Sequence, residues 1–233
     1  MPWLEQFLSS VAPEGRKFTV SVPFADDEVR WFKAGVEASV FRFGRCTPTC
    51  PRLKRWGRSG DDEFITPDGQ PRHIFGFSGA DETVCHLGRE YIAHVAAVSR
   101  LIVQKRFDGR RHSFSRYRTF TRDLVTKRRG QRFETDAEFF GVGDAVFLQV
   151  EAKKSRPEVE SIARQLEVRK DLGALSDGPR KELEYVLELR PRFLWLVGPG
   201  LVEPEQFVYE VEVSENDARF KRIDCLPPPP SST

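Results

Sequence analysis

A chain of 233 residues with 39% hydrophobic and 31% charged side chains has enough apolar material for a folded core, which excludes a wholly disordered protein. The net charge of +2 argues neither for nor against an acidic partner. No apolar run reaches the roughly 18 to 20 residues of a membrane span. Met1–Ser10 lacks the features of a secretory signal, and the four cysteines are unevenly spaced, so we expect a cytoplasmic protein without membrane contact.

The first 83 residues contain few clear elements. Lys17–Phe24 and Ala38–Phe43 have the composition of short strands, and a loop rich in Gly, Pro and Asp is expected from Arg45 to about Gly79. We interpret residues 1–83 as an N-terminal elaboration or a recognition region.

Four potential zinc ligands lie in and after this loop. They are Cys46, Cys50, Cys85 and His86. Because Cys85 and His86 are adjacent, one tetrahedral site would be difficult to build from this set, and ordinary buried thiols are the simpler explanation.

From Val84 onward the chain has regular apolar patterns. Apolar residues at three- and four-residue steps predict an amphipathic helix from Val84 to Ile102. Phe114–Thr126 alternates in part like a strand. Two strands, Arg132–Phe140 and Ala145–Lys153, are then joined by a turn through Gly141–Asp144, which predicts a β-hairpin.

The segments after the hairpin alternate between helix and strand. A helix is expected to begin near Pro157 and another to cover Pro179–Leu189. Phe193–Val197 is continuously apolar, as a buried strand is, and Phe207–Val213 adds a further strand. A crossover helix between strands implies an α/β fold with a central mixed β-sheet flanked by helices.

Two acids and a lysine are expected to converge at one end of this hairpin. Glu151 and Lys153 lie two residues apart on a strand and therefore point to the same face, while Asp136 lies on the partner strand. Two carboxylates beside an ammonium group suit Mg²⁺, which prefers oxygen ligands and can activate water for attack on a phosphodiester. Lys153 would orient or deprotonate that water, or stabilise the pentavalent phosphorus.

Asp136 followed by Glu151-Ala-Lys153 at the end of an apolar strand, between two predicted helices, resembles the PD-(D/E)XK nuclease superfamily. The similarity covers about residues 84–200 and implies a restriction-endonuclease-like αβββαβ core, followed by a C-terminal strand and Pro-rich tail at 201–233. By resemblance, Asp136 and Glu151 bind the metal and Lys153 acts at the attacking water.

The resemblance also implies supporting residues. Glu90 matches a glutamate that many members carry on the first core helix and would be a further metal ligand. Gln165 matches a glutamine on the helix after the Glu-x-Lys strand. The sequence has Thr135 where the family often has Pro, and alternatives for the first acid are Glu134, Glu138 and Asp144.

The hairpin is preceded by a basic segment. Twelve Lys or Arg residues lie between Arg100 and Arg132, against the two acids Asp108 and Asp123. Such a segment can follow a phosphate backbone, although a solvated basic face would have the same composition. The residues that we expect to bind nucleic acid are Arg116, Arg118, Arg122, Lys127, Arg128 and Arg129.

These patterns predict a nuclease that uses Mg²⁺ or Mn²⁺, with DNA favoured over RNA, and cutting of both strands of a duplex would favour a homodimer. The first alternative is a non-catalytic module of the same fold that binds nucleic acid or protein. The second is an unrelated interaction protein, in which Asp136, Glu151 and Lys153 would not meet in space.

Overall fold

The structure is a computed structural model. It describes residues 2–12, 18–19, 24–43, 63–65, 71–73, 75–78, 84–87, 89–107, 112–124, 126–141, 145–168 and 174–228. No helix within these ranges has the length and apolar character needed to cross a membrane.

The described ranges contain five helices and twelve strands. The helices are α1 (Pro2–Val11), α2 (Asp26–Glu37), α3 (Arg89–Val103), α4 (Arg156–Glu167) and α5 (Asp177–Leu189). The strands are β1 (Phe18–Thr19), β2 (Arg42–Phe43), β3 (Glu63–Ile65), β4 (Pro71–His73), β5 (Phe75–Ser78), β6 (Val84–Leu87), β7 (His112–Thr119), β8 (Arg132–Phe140), β9 (Val146–Ala152), β10 (Phe193–Val197), β11 (Val208–Val213) and β12 (Ala218–Ile223).

Six strands form the central sheet in the order β12-β11-β10-β9-β8-β7. Strands β9 and β10 are parallel, and the other neighbours in this sheet are antiparallel. Two smaller sheets have the orders β1-β6-β5 and β2-β3-β4. The predicted α/β class, with a central mixed sheet flanked by helices, is confirmed.

The central sheet has an apolar core on each face, because its strands alternate in the direction of their side chains. On β10, Trp195 and Val197 pack in a core with Leu4 of α1, Phe32 of α2 and Val95 of α3. The intervening residues of β10 pack in the second core. That core includes Leu194, Leu196, Ile162 of α4, and Leu183 and Val186 of α5.

Helices α2 and α3 approach each other closely where Gly35 faces Ser99. A Cβ atom added at Gly35 would lie 1.8 Å from Ser99 Oγ and 2.6 Å from Ser99 Cβ. Only glycine permits this separation, because real Cβ atoms do not come within 3.0 Å of such neighbours. The contact joins the N-terminal helices to the same core as α3.

The strands and helices predicted from Arg132 onward agree with the structure. The strand-like segment predicted at Phe114–Thr126 is a strand only as far as Thr119, where β7 ends, and its remaining described residues belong to the loop before β8. The two hairpin strands are β8 and β9, the expected helices are α4 and α5, and Phe193–Val197 is β10. Ser155 caps α4 by accepting the Glu158 N–H at 3.4 Å, and Pro157 lies in its first turn. Strand β11 begins one residue later than predicted, at Val208.

The helix predicted from Val84 was wrong in its first turn. Val84–Leu87 is strand β6, which pairs with β1 and β5, and helix α3 begins only at Arg89. Val84 and Leu87 are three residues apart, a spacing that also fits a helix. Pairing with distant strands therefore decides the conformation of this segment.

Several N-terminal predictions also needed correction. Ala38 and Ser39 end helix α2 in a turn, Ser39 has a φ of 58°, and only Arg42–Phe43 of the predicted strand Ala38–Phe43 is extended. Helices α1 and α2 were not predicted. The expected loop from Arg45 to Gly79 contains the short strands β3, β4 and β5, and 20–23 of the predicted strand Lys17–Phe24 lie outside the described residues.

Candidate functional site

The hairpin of β8 and β9 brings Asp136 and Glu151 together. Ala137 pairs with Val150 and Glu138 with Gln149, so the next position along the ladder places Asp136 beside Glu151. Asp136 Oδ2 accepts the backbone N–H of Ala152 at 2.6 Å. The aspartate side chain thus takes up a β9 donor where the regular pairing of the two strands ends.

Lys153 follows β9 directly and is held by β10. Its backbone N–H donates to the carbonyl of Val197 at 2.9 Å, which continues the parallel pairing by one residue. Its side chain is buried, with Nζ 3.5 Å from Glu151 Oε2 and 2.9 Å from Glu182 Oε1. The ammonium group therefore lies between two carboxylates from different elements.

Glu182 is a site residue that the sequence did not reveal. It lies on α5 and is 1% exposed, and its buried Oε2 has no hydrogen-bond partner among the described residues. A signal was present in the sequence. Glu182 is adjacent to Leu183 and one helical turn before Val186, so it is a charged residue on the apolar stripe of the helix.

Glu90 and Gln165, the two supporting residues suggested by resemblance, have different surroundings. Glu90 is half-buried in the first turn of α3 and interacts electrostatically with Lys153 and Glu182. Gln165 lies on α4, and its side-chain oxygen accepts hydrogen bonds from the Ser176 N–H at 3.2 Å and the Ser176 hydroxyl at 3.0 Å. These contacts direct that oxygen to the start of α5.

Burial and mutual repulsion shift the ionisation of the carboxyl groups. Burial, opposed by Lys153 and reinforced by Glu90, raises the pKa of Asp136 to about 7. Burial and the neighbouring Glu182 and Asp136 raise the pKa of Glu151 well above its ordinary value. The pKa of Glu90 is also raised, chiefly by burial. One lysine therefore does not offset the negative charge of this group.

The lysine has the opposite balance. Burial alone would lower the pKa of Lys153, but the negative charges of Glu182, Glu151 and Asp136 outweigh burial and raise that pKa well above its ordinary value. Lys153 is therefore protonated at neutral pH. In this form it is a hydrogen-bond donor and carries a positive charge.

The donor set fits a hard divalent cation in part. Within the described residues, no group of three or more His, Cys, Asp or Glu side chains is arranged to hold a metal ion. Mg²⁺, however, commonly binds to one or two carboxylates and keeps its remaining ligands as water. Asp136 and Glu151 offer that pair, and their raised pKa values indicate negative charge that a cation would offset.

The part of the structure that is described does not bring the four possible zinc ligands together in one site. Cys46 and Cys50 lie outside the described residues, while Cys85 and His86 are consecutive residues of β6.

The alternative first acids occupy other positions. Glu138 is fully buried, and its carboxylate accepts three hydrogen bonds. The donors are Arg118 Nε at 2.6 Å, Arg118 Nη2, and the Thr135 hydroxyl at 2.8 Å. Its oxygens are thus used within the fold. Glu134 is half-buried on β8, two residues before Asp136, and Asp144 lies outside the described residues.

A loop between β7 and β8 carries basic residues; we call its described residues, 120–124 and 126–131, the basic loop. It is attached to α5 by two threonines. The Thr121 N–H and hydroxyl donate to Glu188 Oε1 at 2.9 and 2.6 Å. The Thr126 N–H and hydroxyl donate to Glu184 at 2.7 and 2.6 Å. Helix α5 therefore connects the basic loop to Glu182 and Lys153.

The six predicted nucleic-acid contacts fall into three groups. Arg118 is paired with Glu138, and Arg122 donates to the carbonyls of Leu187 and Glu215 at 2.6 and 2.5 Å. The side chain of Arg116 lies outside the part of the structure that is described. The remaining three belong to the basic loop, where Arg128 and Arg129 are exposed and Lys127 is half-exposed.

Comparison of the chain with protein-family models, with curated proteins and with solved structures finds no match. The functional conclusion therefore depends on the carboxylates, the buried lysine and the basic loop.

Proposed function

We propose that this protein is a metal-dependent nuclease that hydrolyses phosphodiester bonds of nucleic acid. The observation that supports this proposal best is that two contacts lie at the same end of the β8–β9 hairpin. One is the ion pair of Lys153 with Glu151, and the other is the hydrogen bond from the Ala152 N–H to Asp136. Buried carboxylates whose pKa values are raised, together with a charged lysine, are typical of functional sites and costly as structural ones.

Each residue has a distinct role in this proposal. Asp136 and Glu151 would hold Mg²⁺ or Mn²⁺, with Glu90 as an outer carboxylate. The cation would polarise a phosphodiester oxygen and lower the pKa of a bound water. Lys153, being protonated, would donate to a phosphate oxygen as negative charge builds up there, so it stabilises the transition state and does not remove a proton.

The surface next to these residues suits a phosphate backbone. Lys127, Arg128 and Arg129 project from the basic loop, and Lys181 is exposed on the first turns of α5. Lys181 also interacts electrostatically with Glu90 and Glu151, which puts positive charge near the acids. The proposed substrate is DNA in preference to RNA. Cleavage of both strands of a duplex would need a homodimer or two successive cleavage reactions.

A second candidate is a non-catalytic module that binds nucleic acid through the basic loop. It is favoured by the lack, in the described part of the chain, of a three-ligand metal group. The alternative in which the acids and the lysine are far apart disagrees with the 3.5 Å distance between Lys153 and Glu151.

The test is cleavage of labelled single- and double-stranded DNA and RNA with Mg²⁺, Mn²⁺ or EDTA. We expect cutting by the wild type that needs the metal and is lost in Lys153→Ala and Glu151→Gln. Lys154→Ala is the matched control, because Lys154 is the next residue but is exposed. Binding of nucleic acid without cutting would favour the second candidate, and cutting that survives Lys153→Ala would contradict the assigned site.

A further inference from the structure

We infer that Glu182 is a positioning residue that draws the Lys153 ammonium group away from Asp136 and Glu151, so that the lysine does not take the place of a divalent cation beside these acids. Glu151 Oε1 accepts a hydrogen bond from Gln149 Nε2 at 3.0 Å, so the Glu151 oxygen for which the lysine and the cation would compete is Oε2. The inference rests on the proposed function. It adds a residue on α5, outside the hairpin that carries the acids and the lysine.

The distances favour Glu182 as the main partner of the lysine. Lys153 Nζ lies 2.9 Å from Glu182 Oε1, a normal length for a charge-assisted hydrogen bond. The same nitrogen lies 3.5 Å from Glu151 Oε2, at the outer limit for such a bond. The ammonium group is therefore displaced toward α5 and away from the β8–β9 hairpin.

The burial of Glu182 is difficult to explain by stability alone. The residue is 1% exposed, and within the part of the chain that the structure describes its Oε2 has no hydrogen-bond partner, so one oxygen of a buried carboxylate is left without a hydrogen bond there. An apolar side chain at this position would extend the core formed by Leu183 and Val186. The contact that explains a carboxylate at this position is its ion pair with the Lys153 ammonium group.

Helix α5 is well placed to fix this carboxylate. Leu183 and Val186 are buried against the sheet, while Glu184 and Glu188 are bonded to Thr126 and Thr121 of the basic loop. A side chain on a helix held at both sides can define the position of its partner more accurately than one on a loop.

Removal of the Glu182 charge would change the partner of the lysine. Lys153 is buried and must remain close to negative charge; the nearest carboxylates left to it are Glu151 and Asp136, with Glu90 as a weaker electrostatic partner. Its ammonium group would then compete with a cation for those two acids. The Lys153 ammonium group would thus inhibit metal binding, and its ion pair with Glu182 normally prevents this.

The test is a double-mutant cycle read out by Mn²⁺ affinity, measured by calorimetry and by the electron paramagnetic resonance signal of free Mn²⁺. Glu182→Gln is expected to weaken Mn²⁺ binding about tenfold when Lys153 is present, and less than about twofold in the Lys153→Met background. Glu182→Asp, which keeps the charge on a shorter side chain, should give an intermediate loss.

Glu188→Gln is the matched control. Glu188 is on the same helix, and among the residues that the structure describes one of its oxygens accepts two hydrogen bonds from Thr121, while the other is buried without a partner. Within the same ranges no lysine or arginine side chain contacts it. It should bind Mn²⁺ as the wild type does. Thermal unfolding of every variant separates loss of the fold from loss of the site, and Glu182→Asp carries the test if Glu182→Gln does not fold.

The outcomes separate this inference from the proposed function. An equal loss of Mn²⁺ affinity in both backgrounds would mean that Glu182 acts as a metal ligand or as a general negative charge. Unchanged Mn²⁺ affinity in Glu182→Gln would mean that Glu182 has no effect on metal binding. Either result overturns the inference, while cleavage by the wild type would still support the proposed function. A wild-type protein that neither binds Mn²⁺ nor cuts nucleic acid would overturn both.

Discussion

Asp136 accepts the backbone N–H of Ala152 at 2.6 Å, at the position where β8 and β9 stop pairing as regular strands. This hydrogen bond favours the ionised carboxylate, but burial and the neighbouring acids outweigh it, and the pKa of Asp136 is raised to about 7. The aspartate is therefore held in place by a bond that does not fully offset the cost of its charge.

This shift predicts how stability depends on pH in the absence of metal. The unfolded chain loses the Asp136 proton near pH 3.8 and the folded protein near 7, so between these values the folded state binds more protons. Raising the pH through this window therefore lowers the free energy of unfolding. Because Asp136 is only half-buried, we expect a loss of about 1 to 2 kcal/mol, measurable by urea unfolding from about pH 5 to pH 8.

Asp136→Asn is the control for this effect, since its amide oxygen can still accept the Ala152 N–H but does not titrate. The variant should show a shallower dependence of stability on pH, with the remainder due to Glu151, whose pKa is also raised. An unchanged pH dependence in Asp136→Asn would assign the titration to another group.

The buried pair of Arg118 and Glu138 is predicted to serve the fold. Arg118→Met would leave Glu138, which is fully buried, without its positive partner, and should lower the free energy of unfolding by about 3 to 5 kcal/mol. Replacing both residues, as in Arg118→Met with Glu138→Leu, should cost less than the single change, because no uncompensated charge remains. Denaturant unfolding measures both, and a double variant less stable than the single one would contradict this explanation.

The sequence predicted the parts of the fold that have strong local patterns. The hairpin, α4, α5 and β10 have clear periodicity or continuous apolar runs, and these elements agree with the structure. The hairpin also predicted that Asp136 and Glu151 lie close together, but their alignment depends on a one-residue shift in register between Phe139 and Phe140, which the sequence pattern did not reveal.

Other parts depend on contacts that local patterns do not contain. Val84–Leu87 is a strand because β1 and β5 pair with it, although its apolar spacing also suits a helix. Glu182 reaches Lys153 only because α5 packs across the sheet after a crossover from β9. Its charge within an apolar stripe was visible in the sequence, but its partner was not.

The basic loop is predicted to supply phosphate contacts. Replacing both Arg128 and Arg129 by Ala should weaken binding to nucleic acid and reduce the salt dependence of log K by about 1 to 2, as expected for the loss of one or two phosphate contacts. The change of Arg219 and Lys221 to Ala is the matched control, since both are exposed on β12 at the opposite edge of the sheet. Fluorescence anisotropy at several salt concentrations measures this, and equal losses in the two variants would indicate binding without a preferred surface.

The close approach of α2 to α3 predicts a sharp effect of a single methyl group. Gly35→Ala would place Cβ 1.8 Å from Ser99 Oγ, so the helices must separate, and we expect a loss of about 1 to 3 kcal/mol in the free energy of unfolding. Gly178→Ala is the control, because its Cβ would meet Ile162 at 3.8 Å, an ordinary contact. Thermal unfolding of the two variants tests this, and equal stability would mean that α2 and α3 adjust without cost.

The bond from the Lys153 N–H to Val197 has a consequence for the order in which the proposed site is assembled as the chain is synthesised. This bond forms only after β10 has been made and has paired in parallel with β9, across a crossover that contains both α4 and α5. Pairing over such a separation is slow compared with hairpin formation. A chain made only as far as β9 therefore contains Asp136 and Glu151 but lacks the carbonyl that holds the Lys153 backbone, so the three residues are brought together in full only after β10 has been added.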